Sequence, residues 1–153
     1  VEIGFAAVPS LIGGRVDAVV SFWNAEGVAL RERGVETREF RVDEYGAPRY
    51  PELVLAVRGA TLEDSPELVD AMLARIRDGT RVALRDPDAA LAAIAAASGA
   101  DEPLLRAQFE AVAPALRPPL RLDRAALEGW AEFDARFGIL REAPDVDAAF
   151  RLR

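Results

Sequence analysis

Residues 16–22 (VDAVVSF) form an apolar run broken only by Asp17 and Ser21. Its length and its valines fit a buried strand, since β-branched side chains pack well on a pleated surface and a strand covered on both faces needs no polar alternation. A buried strand requires neighbours, and three other segments offer them. Residues 1–5 are a short strand candidate, residues 37–42 (TREFRV) alternate as a half-buried strand does, and residues 52–57 (ELVLAV) are a second buried-strand candidate. Helical segments separate them. VPSLIGG suits a short helix with Pro9 near its first turn and Gly13 and Gly14 at its end. A second helix is expected through residues 27–33, with Asn24 as a candidate N-cap and Gly34 as the stop. Strands alternating with helices predict α/β construction for the first third of the chain.

From Thr61 onward the period changes. Ser65 followed by Pro66 marks a helix start, and Leu68, Met72, Ile76 and Val82 keep a helical spacing to about Leu84. Asp86-Pro87 opens an alanine-rich helix closed by Gly99. Asp101 with Pro103 opens another, in which Leu104, Leu105, Phe109 and Val112 make an apolar stripe. After the stiff RPPL connector, Asp123 starts a last long helix in which Leu127, Trp130, Phe133 and Phe137 recur every three or four residues up to Gly138. The layout is a short α/β portion followed by a helical C-terminus.

Composition removes several chemistries. The 153 residues hold neither cysteine nor histidine, so disulfides, Cys/His metal sites and a Ser-His-Asp triad are excluded within this chain. All nineteen basic residues are arginine, which removes a lysine Schiff base and a P-loop. No cofactor and no metal are expected. A net charge of −7 disfavours nucleic acid and anionic membrane as partners. No run is long and apolar enough to span a bilayer. The start, VEIGFAAV, has no initiator methionine and no features of a signal peptide, so the chain is expected to be a fragment or a processed product. The acidic pairs Glu63-Asp64 and Asp86/Asp88 read as carboxylates at helix starts, and Arg31 and Arg33 as solvated side chains at a helix end.

Two constellations remain. In SFWNAEG, the C-terminal end of the expected strand carries Ser21, Trp23, Asn24 and Glu26. Ligands of open α/β sheets collect beyond the carboxyl ends of strands. An indole offers a flat face for stacking, an amide can donate and accept, and a carboxylate accepts strongly from amino groups. Together they suit a small flat molecule with ring nitrogens and an exocyclic amine. The same residues also read as core plus an N-cap and a helix-dipole partner. The second constellation is DEYGAPRY, whose Tyr45 and Tyr50 line a cleft rim in one reading and simply belong to turn chemistry in the other.

The stretch VPSLIGGRVDAVVSFWNAEGVALRERG, followed by DEYGAPRYPELVLAV, resembles the substrate-binding proteins of ABC importers for pyrimidine precursors of thiamine. These are relatives of the fungal pyrimidine synthases and, more distantly, of sulfonate- and nitrate-binding proteins. The element Gly14-Arg15-Val16-Asp17-Ala18 is common to many binding proteins, whereas Trp23-Asn24-x-Glu26-Gly27 points to the pyrimidine group. RIRDGTRVALRDPDAALAAI and the tryptophan helix near the C-terminus are also similar.

The resemblance implies a type II periplasmic-binding-protein-like α/β fold of which this chain is the C-terminal half. Residues 1–22 would end the second lobe, and residues 23–153 would form the C-terminal part of the first. It further implies that Glu26 holds an aminopyrimidine, that the longer protein is extracytoplasmic and that an ABC permease is its partner. An N-terminal half or self-association would cover exposed strand edges. The alternatives are a synthase-like enzyme on the same fold and a binding protein for another small solute such as a sulfonate. The synthase relatives consume a histidine and carry a cysteine-rich motif. This chain has neither, which favours binding over chemistry.

Overall fold

A computed structural model describes residues 2–152. Among them no strand forms and all regular structure is helical. The α/β, type II periplasmic-binding-protein-like expectation is therefore corrected. Its four strand segments lack what makes a strand, a neighbour to take the backbone N–H and C=O groups. Residues 16–22 and 52–57 carry the right side chains, yet Val20 is 99% exposed and Leu53 85% exposed, and no ladder pairs them. Val1, the start of the first expected strand, lies outside the described residues; Ile3 and Ala6 close a turn there instead, Ala6 N–H donating to the Ile3 carbonyl at 3.1 Å.

Eight α-helices are described: α1 (Ala7–Ile12), α2 (Glu26–Glu32), α3 (Gly59–Asp64), α4 (Pro66–Arg85), α5 (Pro87–Ser98), α6 (Glu102–Val112), α7 (Arg124–Arg136) and α8 (Val146–Ala149). Short 3-10 turns occupy Val42–Tyr45 and Ala113–Ala115. The later helices start where their caps dictate. Asp86, Asp101 and Asp123 each accept a backbone N–H of the first turn, from Ala89 (3.2 Å), Leu104 (3.2 Å) and Ala125 (3.0 Å) respectively. Each such bond satisfies a donor that the helix itself leaves unpaired. Gly99, at φ +70°, ends α5 in the left-handed conformation that a side chain disfavours. Two short helices, α3 and α8, go beyond the sequence reading. Glu63 and Asp64 consequently lie at the C-terminal end of α3, not at a helix start.

Contacts divide the chain into two units, the boundary falling three times: after Glu39, after Arg77 within α4, and after Arg117. The first unit, Val1–Glu39 with Asp78–Arg117, packs α1 on α2, α2 on α6 and α5 on α6. Its buried side chains are Val8, Ser10, Val28, Leu30 and Leu91. The alanines of α5 leave little to bury, so Leu91 anchors that helix.

The second unit, Phe40–Arg77 with Pro118–Arg153, centres on α7 and α8. Leu127, Ala131 and Val146 form its core, flanked by Leu122, Phe150 and Leu152. Asp145 caps α8 by accepting from Asp147 N–H (2.9 Å) and Ala148 N–H (3.3 Å), and Arg124 of α7 forms a bidentate ion pair with Asp147. The RPPL connector is tied down where Arg77 Nε donates to the Pro119 carbonyl at 2.8 Å. The helical spacing of Leu68, Met72 and Ile76 is real, but the stripe they make on α4 is exposed.

Candidate functional site

Ser21 to Gly27 form the entry into α2. The turn is organised around the Phe22 peptide. Its carbonyl accepts from the N–H groups of both Ala25 and Gly27 at 3.1 Å, and its own N–H donates to Glu26 Oε2 at 2.9 Å. A carboxylate reaching back to the backbone ahead of its helix satisfies a donor and places negative charge at the positive end of the helix dipole. Glu26 thus fits in part the reading of it as a helix-dipole partner. Its other oxygen, Oε1, has no hydrogen-bond partner among the described residues.

Asn24 corrects the expected cap. The N-cap position of α2 is Ala25, with no side-chain capping bond. The Asn24 side chain is half-buried instead, and its Oδ1 is secluded from solvent with no hydrogen-bond partner. A buried amide oxygen left unpaired costs about 1–3 kcal/mol, and such groups in folded proteins call for an explanation. Beside it, the Trp23 ring is half-exposed at 49% and Phe22 at 51%. Ser21 is exposed, and its hydroxyl makes no hydrogen bond among the described residues.

Two side chains outside the candidate site, Arg31 and Gln108, hold this turn. Arg31 Nη2 donates to the Trp23 carbonyl (3.4 Å), and Arg31 Nη1 is ion-paired with Glu39 Oε1. Gln108 of α6 donates to the Ala25 carbonyl at 3.4 Å. Arg31 is therefore a brace and not a merely solvated side chain. The available clue was its spacing, one helical turn after Gly27. Gly27 is buried at that point, and a Cβ there would lie 3.2 Å from Glu39 Oε1 and 3.5 Å from Arg31 Nη1. Glycine leaves room for the brace.

The loop of Tyr45 and Tyr50 lies in the second unit. Asp43 gathers it, accepting from Arg41 Nε (3.3 Å) and Nη2 (3.2 Å) and from Arg49 Nε (3.0 Å). The Arg41 hydrogen bonds, opposed by partial desolvation and aided by Arg49, hold the Asp43 carboxyl below its ordinary 3.8. Gly46, at φ +99°, turns the chain between the two tyrosines. Tyr45 is 69% exposed with its ring 6.0 Å from that of Phe40. Tyr50 stacks on Trp130 of α7 at 4.1 Å, and the series continues through Phe133 (5.3 Å) to Phe137 (4.6 Å). One face of Tyr50 is thereby committed to packing.

Among the described residues each unit carries an open groove. The larger, about 540 Å³, is bordered by Ile3, Ala7, Arg15, Val16 and Val19, and the smaller, about 220 Å³, by Arg124, Glu128, Glu132 and Asp145. Neither includes Trp23, Asn24 or Glu26. Among the described residues no cluster of carboxylates is arranged to hold a metal ion, and no helix is long and apolar enough to cross a membrane.

Residues 1–90 match the family model described as "NMT1/THI5 like". The chain is also similar to the formylaminopyrimidine-binding protein of Halalkalibacterium halodurans, at 35% identity over 91 residues. That alignment covers 59% of this chain, which spans 28% of the relative's length. No solved structure matches the chain.

Proposed function

The chain belongs to the NMT1/THI5-like family, and from that premise we propose that it binds a small aminopyrimidine related to the precursors of thiamine, through the turn from Ser21 to Glu26. One observation carries the proposal: Asn24 Oδ1 is buried and unpaired beside the half-exposed ring of Trp23. Once the half-buried Asn24 side chain turns outward, an amino group of a ring stacked on the indole would satisfy that oxygen, and Glu26 Oε1 would accept a second N–H. Both acceptors favour a donor-bearing ring over an anion such as a sulfonate, which would set like charge against Glu26. The formylaminopyrimidine-binding relative supports the choice of ligand class.

The chain acts by capture, not chemistry. Histidine, cysteine and lysine are all absent, which leaves only hydroxyls and carboxylates for any chemistry and favours the capture reading. In the wider reading the protein is the solute-capturing component of an ABC importer, working outside the cytoplasm and passing its ligand to a permease. Selectivity comes from gain: a ring bearing the amine pairs an Asn24 oxygen that is unpaired in the free protein, and a ring lacking it leaves that oxygen as it was.

Titration calorimetry of the protein with hydroxymethyl- and formylamino-pyrimidines tests this. Asn24→Ala and Glu26→Gln are each expected to weaken binding by about tenfold or more, the loss of one buried or charge-assisted hydrogen bond. In Glu26→Gln the new amide would still accept from Phe22 N–H through its oxygen, but would turn an NH2 donor toward the ligand's amine. No binding by the natural protein, or tight binding indifferent to both substitutions, would refute the assignment.

A further inference from the structure

The segment from Glu52 to Arg58 (ELVLAVR) belongs to the second unit and lies on its surface. All seven residues are exposed, including Leu53 at 85%, Val54 at 48%, Leu55 at 39% and Val57 at 40%. Residues 53–58 lie in neither helix nor turn, and Arg58 is extended at φ −67°, ψ 142°. Among the described residues no backbone group of residues 53–57 makes a hydrogen bond within the chain. Apolar, β-prone chain with open backbone donors and acceptors is a template for strand addition. Pro51, with no N–H, ends the template on one side, and α3 ends it on the other.

We infer that this segment pairs with itself in a second copy of the chain, antiparallel and centred on Leu55. The charge order selects that occupant. In this register Glu52 of one copy faces Arg58 of the other, and the pair occurs twice by symmetry. Leu53 faces Val57, Leu55 faces Leu55, and Val54 faces Ala56. Alternation puts Leu53, Leu55 and Val57 on one face, so the apolar cross-strand pairs form one strip and the ion pairs lie at its ends on the other face. A parallel in-register pairing would oppose glutamate to glutamate and arginine to arginine, which is unfavourable.

Sedimentation velocity over a wide concentration range tests the inference, since no residue of the candidate ligand turn is touched. The unaltered chain is expected to show a reversible monomer–dimer equilibrium that strengthens at low salt. Glu52→Arg alone and Arg58→Glu alone each turn two attractive pairs into repulsive ones, and each is expected to weaken the dimer by about tenfold. The double exchange, Glu52→Arg with Arg58→Glu, restores it, and a mixture of the two single variants dimerises about as tightly as the unaltered chain, about tenfold better than either variant alone. A chain that is monomeric at the highest concentration overturns the inference. So does a dimer that ignores the charge exchanges, or association only with some other protein. Far-UV circular dichroism of each variant, unchanged in helix content, separates these results from a failure to fold.

Discussion

Glu26 is assigned two tasks, and they can be separated by two substitutions. Its Oε2 accepts from Phe22 N–H at 2.9 Å, and it lies in the first turn of α2. A hydrogen bond to a charged group contributes about 1.5–3 kcal/mol when shielded. Glu26 is only half-buried, so solvent competition brings this to about 1 kcal/mol. The helix dipole adds about 0.3 kcal/mol at such exposure. Glu26→Ala is therefore expected to cost about 1–1.5 kcal/mol. Glu26→Gln keeps a neutral acceptor of roughly half the strength and is expected to cost about 0.5 kcal/mol. Urea unfolding followed by far-UV circular dichroism gives both numbers from the shift in midpoint at constant slope. For ligand binding the order differs: both variants lose it comparably, because neither presents an acceptor at Oε1. If Ala and Gln are equally stable, the bond to Phe22 does not brace the turn. If Gln binds as Glu does, Oε1 does not meet the ligand.

Four further outcomes follow from the packing. Trp130→Ala removes the middle of the Tyr50–Trp130–Phe133 stack and is expected to destabilise the second unit by about 2 kcal/mol, part area and part ring geometry; its unfolding midpoint in urea measures this. Asp101→Ala and Asp123→Ala each delete a helix cap and are expected to cost about 1 kcal/mol in the same experiment, against a few tenths for replacement by Gly. Arg31→Met frees the Trp23 carbonyl and the Glu39 carboxylate, and amide hydrogen exchange is expected to speed up at Phe22 and Gly27 while α5 is unaffected. Asp43 titrates below its ordinary 3.8, so its contribution to loop order is fully present above that value and is lost as pH falls through the lower, folded one. Carboxyl-carbon NMR is expected to show no change between neutral pH and pH ~5, and an upward move of the midpoint that is larger in Arg41→Gln than in Arg49→Gln.

What was legible in the residues was local. Asp86-Pro87, Asp101 with Pro103, and Asp123 mark starts that depend on the next few residues only, and α5, α6 and α7 begin there. Gly13, Gly34 and Gly99 likewise stop helices where the spacing placed them. Strands are different in kind. VDAVVSF and ELVLAV have the composition of buried β structure, but a strand exists only with a partner, and the run itself does not contain one. Asn24 misled for a related reason. An asparagine two residues ahead of a helix looks like its cap in sequence, and only the structure shows that Ala25 takes the N-cap position of α2. Tyr50 had the chemistry of a cleft rim, yet its ring stacks on Trp130, eighty positions downstream, a pairing no short window reveals. The Arg31 brace was hidden by a rule that usually holds, that arginines at helix ends face water.

The two tryptophans also make the protein its own spectrometer. Trp23, half open to solvent in the first unit, emits from a wet environment and is accessible to a soluble quencher. Trp130, in the second unit, is flanked by Tyr50 and Phe133, so it receives excitation energy from the phenol ring and carries the near-ultraviolet dichroism of coupled chromophores. Each unit thus has one optical reporter of a different character. Selective quenching would follow the turn at Trp23, while sensitised emission would follow the aromatic stack, so the loosening of one unit can be timed against the other in a single cuvette without labelling the chain.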